Sequence, residues 1–243
     1  MPEHDVLLKN MKYSLTMAFM SLALIAGSVE YPNLSIIFVW SALSFGVVAL
    51  GYAGLGSKVF GKQEDGTISL GLKVINLPFL LFTWSIWHVY RLLSKEDPFN
   101  KIGDDLVIGR RLLSSEIIED YDHYVDLTAE FEEPLPIRSS PSYHCFPILD
   151  ASTPSVEDLY SATEQTQVGK TYIHCAQGHG RTGLFALALL HRRGKVNSVA
   201  EGISILKSLR PAINLNTQQA QFMSHYLTKV QNKPLHLTPD SPL

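Results

Sequence analysis

The chain has 243 residues, with 20 Lys and Arg against 23 Asp and Glu, and only two cysteines. Near-balanced charge without a basic stripe excludes an electrostatic nucleic-acid binder, and two cysteines are too few for a disulfide framework. Apolar residues make up 46% of the chain, and their uneven distribution divides it into a membrane-like first part and a globular remainder.

Up to Lys101 three long stretches carry no Asp, Glu, Lys or Arg: Tyr13 to Val29, Tyr31 to Ser57 and Val74 to Tyr90. A bilayer core takes about 17 to 25 apolar residues as a helix. The second stretch is long enough, and the first and third sit at the lower limit. Lys9 and Lys12 precede the first, the connection from Glu30 to Asn33 has no Lys or Arg, and Lys58 and Lys62 follow the second. The positive-inside rule then places the N-terminus and residues 58–62 in the cytoplasm, with the tight turn outside. Lys73 precedes the third stretch and Arg91, Lys95 and Lys101 follow it, so both its ends read as cytoplasmic. Pro78 and the aromatics Phe79, Phe82, Trp84, Trp87 and Tyr90 suit a tilted, re-entrant or interface-lying helix. We expect residues 1–101 to form a membrane-embedded helical region of two spans plus a third span or interfacial helix, with the remainder facing the cytosol. Lys95, Lys101, Arg110 and Arg111 either meet anionic headgroups or are ordinary solvated charges.

In residues 102–230, Val125 to Leu127 and Tyr143 to Phe146 read as strands; the latter turns at Pro147 and presents Asp150 before a helix opened by Pro154. Thr171 to Ile173 reads as a short buried strand and Gly183 to Leu190 as the apolar body of a helix. Between them runs HCAQGHGRTG, His174 to Gly183. A loop joining a strand to a helix N-terminus offers unpaired N–H groups and the positive end of the helix dipole, which together bind a phosphate dianion. Gly178 and Gly180 let successive N–H groups converge, and the Arg181 guanidinium can make two parallel hydrogen bonds to phosphate oxygens. The same field should lower the thiol pKa of Cys175 and leave a nucleophilic thiolate. Thr182 either hydrogen-bonds the Cys175 sulfur or caps the helix. His174 either bonds the loop or is a plain buried histidine. His179 either adds charge to the rim or is an exposed filler. Further on, Gly194 can end a helix, SVAE at Ser198 to Glu201 fits a capping box, and Asn216 or Thr217 can open the last helix. Residues 231–243, with Pro234, Pro239 and Pro242, read as a loose tail. His191, His225 and His236 are single, and no metal-ligand cluster is evident.

HCAQGHGRT resembles the signature loop of the protein tyrosine phosphatase superfamily, specifically its small dual-specificity branch. The resemblance covers residues 102–230 and implies an α/β domain, a central sheet flanked by helices, behind the membrane region. It implies Cys175 as nucleophile, Arg181 as phosphate clamp and the loop Ala176, Gln177, Gly178, His179, Gly180 as phosphate cradle. YHCFPILD resembles the family's acid loop, making Asp150 the general acid, whose alternative is a turn or cap; Glu157 and Asp158 are rival acids that more simply form a solvated helix face. GRRLLSSEIIEDYDHYVDLTAEFEEP resembles the opening strand, helix and strand. LRPAINLNTQQAQF resembles the closing segment, with Gln219 either positioning water in the second step or simply polar on the last helix. Some relatives trap the oxidised nucleophile with a second cysteine; Cys145 is either that or a small buried residue.

The expected function is membrane-anchored hydrolysis of phosphate monoesters through a phosphocysteine, on phosphotyrosine, phosphoserine or phosphothreonine proteins. A phospholipid phosphatase, for example for phosphatidylglycerophosphate, is the alternative, and an inactive phosphate-binding docking module belongs to another class. Nucleophile, charge stabilisation and acid all come from side chains, so no metal or organic cofactor is expected.

Overall fold

The computed structural model describes residues 2–117 and 120–231, without the side chains of residues 2–10. The expected tail lies outside the described residues beyond Gln231, as do His236 and the Lys9 side chain. Helices α1 (Pro2–Glu30) and α2 (Ser35–Leu50) form an antiparallel hairpin around the short turn at Pro32–Leu34. Small polar side chains knit it: Ser14 Oγ donates to Ala49 O at 2.9 Å and Ser21 Oγ to Ala42 O at 2.7 Å. The apolar run after α2 bends at Gly54, whose φ of 143° is open only to glycine. A short hairpin bridged at Lys62 and Ile68 leads into α3 (Leu70–Leu93).

Three helical stretches are long and apolar enough to cross a membrane: Met11–Glu30, Pro32–Phe60 and Leu70–Leu93. Pro78 does not break α3. Having no N–H, it frees the carbonyl of Val74, which accepts instead from Trp40 Nε1 at 3.0 Å, while the N–H of Phe79 reaches Ser44 Oγ at 3.2 Å.

The remainder is an α/β domain. Its five strands, β1 (Phe99–Ile102), β2 (Leu106–Arg110), β3 (His123–Thr128), β4 (Tyr143–Ile148) and β5 (Thr171–Cys175), lie in the order β1-β2-β5-β3-β4. β1 is antiparallel to β2 and the other pairs are parallel. Parallel neighbours need long crossovers, and the connecting and flanking helices are α4 (Leu135–Arg138), α5 (Val156–Gln165), α6 (Gly180–Arg192), α7 (Val199–Leu209) and α8 (Thr217–Gln231). Every residue of α6 from Arg181 to Leu190 is buried, which is why its sequence is apolar all round. It packs with Leu206 of α7 and Met223 of α8 against Ile108, Val125 and Ile173 of the sheet. The opposite sheet face carries Val107, Tyr124 and Tyr172, the two tyrosine rings stacked at 5.0 Å. Pro147 stays inside β4, tolerated because β4 is an edge strand.

Several expectations change. Between β2 and β3 the expected helix is a single turn, Ser114–Glu116, among the described residues, held by a bidentate pair of Arg110 with Glu116. β1 begins at Phe99, ahead of the expected boundary at 101/102. Lys62 is not a free cytoplasmic flank. Its side chain is fully buried, ion-paired with Asp126 and donating to Thr128 O at 2.6 Å. Arg110 and Arg111 likewise pair inside the protein, with Glu116 and Glu133, rather than facing headgroups.

The first hundred residues are therefore seated on the domain. Val48, Tyr52, Phe60 and Leu80 share one apolar cluster with Ala129 and Leu149. α3 touches the domain at points along its length: Lys73 pairs with Glu132, Trp84 Nε1 donates to Glu130 O, Trp87 Nε1 donates to Ala176 O, and the Tyr90 ring meets His179.

Candidate active site

β5 ends at Cys175 and α6 begins at Gly180, so Ala176 to His179 form the turn between strand and helix. Gly178 has φ +76°, and a Cβ there would strike the backbone carbonyl of Gly109. Glycine is thus required both for the turn and for its close approach to β2. The curl brings the Gly178 N–H to Cys175 Sγ at 3.3 Å. Cys175 is 4% exposed, at the floor of a cavity of about 310 Å³. Asp150, Glu130, Gln177, His179, Gly180 and Arg181 line it, with Thr83, Ile86 and Trp87 of α3 forming one wall.

Arg181 is buried and held from behind. Its two terminal nitrogens meet the carboxylate of Glu130 at 3.0 and 2.8 Å, and Nη1 also donates to Ile148 O at 3.1 Å. Its Nε is buried without a hydrogen-bond partner, 3.2 Å from Asp150 Oδ1 in ion-pair range. Burial works against the guanidinium charge, yet Glu130 and Asp150 outweigh it and hold the pKa above the usual value. The Asp150 side chain is 69% exposed, so it can move without unpacking anything. Ala151 follows it at φ +58°, a left-handed conformation costly for a non-glycine residue, and its carbonyl accepts from Asn216 Nδ2 at 2.8 Å.

Other expected residues resolve differently. Thr182 lies inside the first turn of α6, so it is not the cap; its hydroxyl is buried without a partner, on the sulfur or elsewhere. Gln219 is absent from the cavity wall. It forms a reciprocal cap with Asn216, at 2.9 and 3.1 Å, and donates to Ser152 O at 3.2 Å, so its amide braces the loop that bears Asp150. His179 is neither exposed nor a free rim charge, since Nε2 contacts Glu96 Oε2 at 2.8 Å. His174 combines both expectations, fully buried with Nδ1 3.3 Å from the Cys175 carbonyl oxygen, and burial, only partly opposed by the charge of Asp126, pushes its pKa down to about 4. Glu157 and Asp158 lie away from the cavity, Glu157 paired with Lys229. Cys145 sits opposite Asp126, which sits opposite His174, so it is two strands from the strand bearing Cys175. At about 4.8 Å per strand that is near 10 Å, beyond disulfide reach.

The fold gathers groups that the linear pattern concealed. Glu130 and the buried Arg210 are the main ones. Arg210 donates to Gly178 O at 3.0 Å and Gln177 O at 3.0 Å, fixing the outer side of the turn. Behind the loop, Asp126, Glu133 and His174 place donor atoms within 4.8 Å of one another, a grouping suited to a metal that the sequence had not revealed. The chain's own cations already meet both carboxylates, Lys62 at Asp126 and Arg111 at Glu133. A metal ion there would have to share the space with Lys62. Burial and the Asp126 charge nevertheless push the Glu133 carboxyl up to about 8.

The domain is thus a small α/β unit with a mixed five-stranded sheet and a strand–turn–helix segment that places Cys175 and Arg181 on one cavity. No protein-family model matches the chain. It is similar to "Putative tyrosine phosphatase 197R" of Invertebrate iridescent virus 6, 33% identical over 124 residues; the match covers 45% of this chain and spans only 44% of that relative's length. Among solved structures it is similar to Tk-PTP in the active form, with 23% identity and a TM-score of 0.48 over 54% of this chain and 97% of that one. Human DUSP28 aligns at 17% identity and TM-score 0.47, over 56% of this chain and 97% of that one.

Proposed function

We propose that the protein is a membrane-anchored, cysteine-dependent phosphatase of dual-specificity type that hydrolyses phosphate monoesters through a phosphocysteine. The observation that carries this reading is the meeting, at one cavity, of the Cys175 sulfur, approached by the Gly178 N–H, with an Arg181 Nε that lacks a hydrogen-bond partner and lies in ion-pair range of Asp150. A buried donor without a partner is costly, and a phosphate oxygen would satisfy it. The sequence similarity to a protein described as a tyrosine phosphatase supports the same chemistry.

In this scheme the Cys175 thiolate attacks phosphorus, an S–P bond forms and the ester P–O bond breaks as Asp150 protonates the departing oxygen. Water then attacks phosphorus and gives its proton to Asp150, while the S–P electron pair returns to sulfur. Arg181 and the turn's N–H groups hold the equatorial oxygens throughout. Its pairing with Glu130 leaves Nε toward the substrate. The antiparallel α1–α2 hairpin rests its open end, through Tyr52 and Asp150 O at 3.2 Å, on the domain. This supports the expected arrangement in which the N-terminus and the catalytic domain share the cytoplasmic side.

Cys175→Ser should bind inorganic phosphate yet lose turnover. Asp150→Asn should slow release of an alkoxide by about 10² to 10⁴, the usual range for general-acid catalysis. Steady-state turnover by the detergent-solubilised full-length chain, of a soluble aryl phosphate for Cys175→Ser and of an alkyl phosphate for Asp150→Asn, tests both, and full activity of Cys175→Ser would overturn the assignment.

A further inference from the structure

Resting on that reading, we propose that the substrate is a lipid bearing a single terminal phosphate monoester, which enters the cavity sideways along α3. Thr83, Ile86 and Trp87 of this apolar helix form one wall of the cavity holding Cys175 and Arg181. From Lys73 to Tyr90 the helix covers about 25 Å at 1.5 Å per residue. Contacts to Glu132 near one end and His179 near the other mean that it lies alongside the domain instead of leading away from it. Its buried stripe is Asn76, Leu80 and Trp87, while Leu81, Phe82 and Val89 on its outer side are 52%, 53% and 55% exposed. Ile86 belongs to both surfaces, lining the cavity while remaining 47% exposed. Phe82, Ile86 and Val89, spaced four and three residues apart, therefore form an apolar track from the bilayer side to the phosphate cradle.

The wall's charges restrict what can follow the track. Arg181 of this wall already faces Glu130, the His179 ring meets Glu96, and Asp150 adds another carboxylate. One phosphate finds the guanidinium and the turn's N–H groups; a second phosphate, or acidic residues beside a phosphorylated side chain, would meet uncompensated negative charge. A singly phosphorylated headgroup whose chains remain against α3 fits both constraints, whereas a phosphoserine or phosphothreonine peptide leaves the apolar wall unused and a phosphotyrosine ring reaches only its innermost part.

The test compares dioleoylglycerol 3-phosphate, glycerol 3-phosphate, a phosphotyrosine peptide and p-nitrophenyl phosphate, using the full-length chain in nonionic detergent micelles. We expect kcat/KM for the lipid to exceed that for glycerol 3-phosphate and for the peptide by at least about tenfold, a factor that burial of two methylenes already supplies. Val89→Glu, outside the cavity wall, should remove that advantage and leave p-nitrophenyl phosphate turnover unchanged. Equal rates with and without acyl chains, a peptide preference, or an undiminished lipid advantage in Val89→Glu would each overturn the lipid assignment while p-nitrophenyl phosphate turnover persists. Failure on p-nitrophenyl phosphate as well would sink the thiolate reading with it.

Discussion

Glu130→Gln separates the holding of Arg181 from its use. The wild-type carboxylate accepts two charge-assisted bonds, at 3.0 and 2.8 Å, from a guanidinium that is 2% exposed. An amide keeps the shape but turns one end into a donor facing a donor, leaving the buried charge with one amide oxygen, the exposed Asp150 carboxylate and a backbone carbonyl. Breaking a buried pair by removing one partner costs about 3 to 5 kcal/mol, and the surviving amide oxygen places this case near 3. At about 2 to 4 °C per kcal/mol for a chain of this size, thermal unfolding should fall by roughly 6 to 12 °C. Phosphate should still bind, because a negative neighbour has been removed, but misplacing the guanidinium by about 1 Å can cost up to 10²-fold in turnover. Differential scanning fluorimetry with and without inorganic phosphate, paired with steady-state kinetics, reads both effects. An unchanged midpoint together with unchanged kcat would refute the claim that Glu130 orients Arg181.

Lys62→Met should destabilise the fold by about 3 to 5 kcal/mol, because Asp126 would remain buried with only Tyr143 and Thr128 as partners. Adding Asp126→Asn should recover much of the loss in the same unfolding assay, and independent, additive effects would contradict a direct pair. Burial pushes the Cys145 thiol up to about 11, so it stays neutral through physiological pH and gains thiolate only as pH approaches that value. Iodoacetamide at pH 7.5 should therefore leave Cys145 unmodified in the native protein, and labelling should appear towards pH 11. Peptide mass mapping that finds Cys145 alkylated at pH 7.5 would contradict its burial.

The arrangement of the turn was legible in the linear chain because its parts are local. Cys175, Gly178 and Arg181 lie within a single strand–turn–helix, so spacing alone brings sulfur, amides and guanidinium together, and the apolar run after Gly183 announces the buried helix that fixes them. The position of Asp150 at the cavity was legible for a related reason, as its turn follows a readable strand. The three apolar stretches were equally plain, since length and absence of charge are properties of sequence. What surrounds these parts depends on chain-distant meetings. Nothing in the linear pattern singles out Glu130 and Arg210, which the sheet order places against Arg181 and the turn, and the proximity of Asn216 and Ser152 makes Gln219 a capping and bracing residue. Lys62 read as a membrane-flanking cation, yet its ammonium is buried against Asp126 of a strand more than sixty residues away. The wall supplied by α3 was invisible for the same reason: hydropathy shows that a helix avoids water, but only tertiary packing decides that Trp87 turns inward onto Ala176 while Val89 faces out.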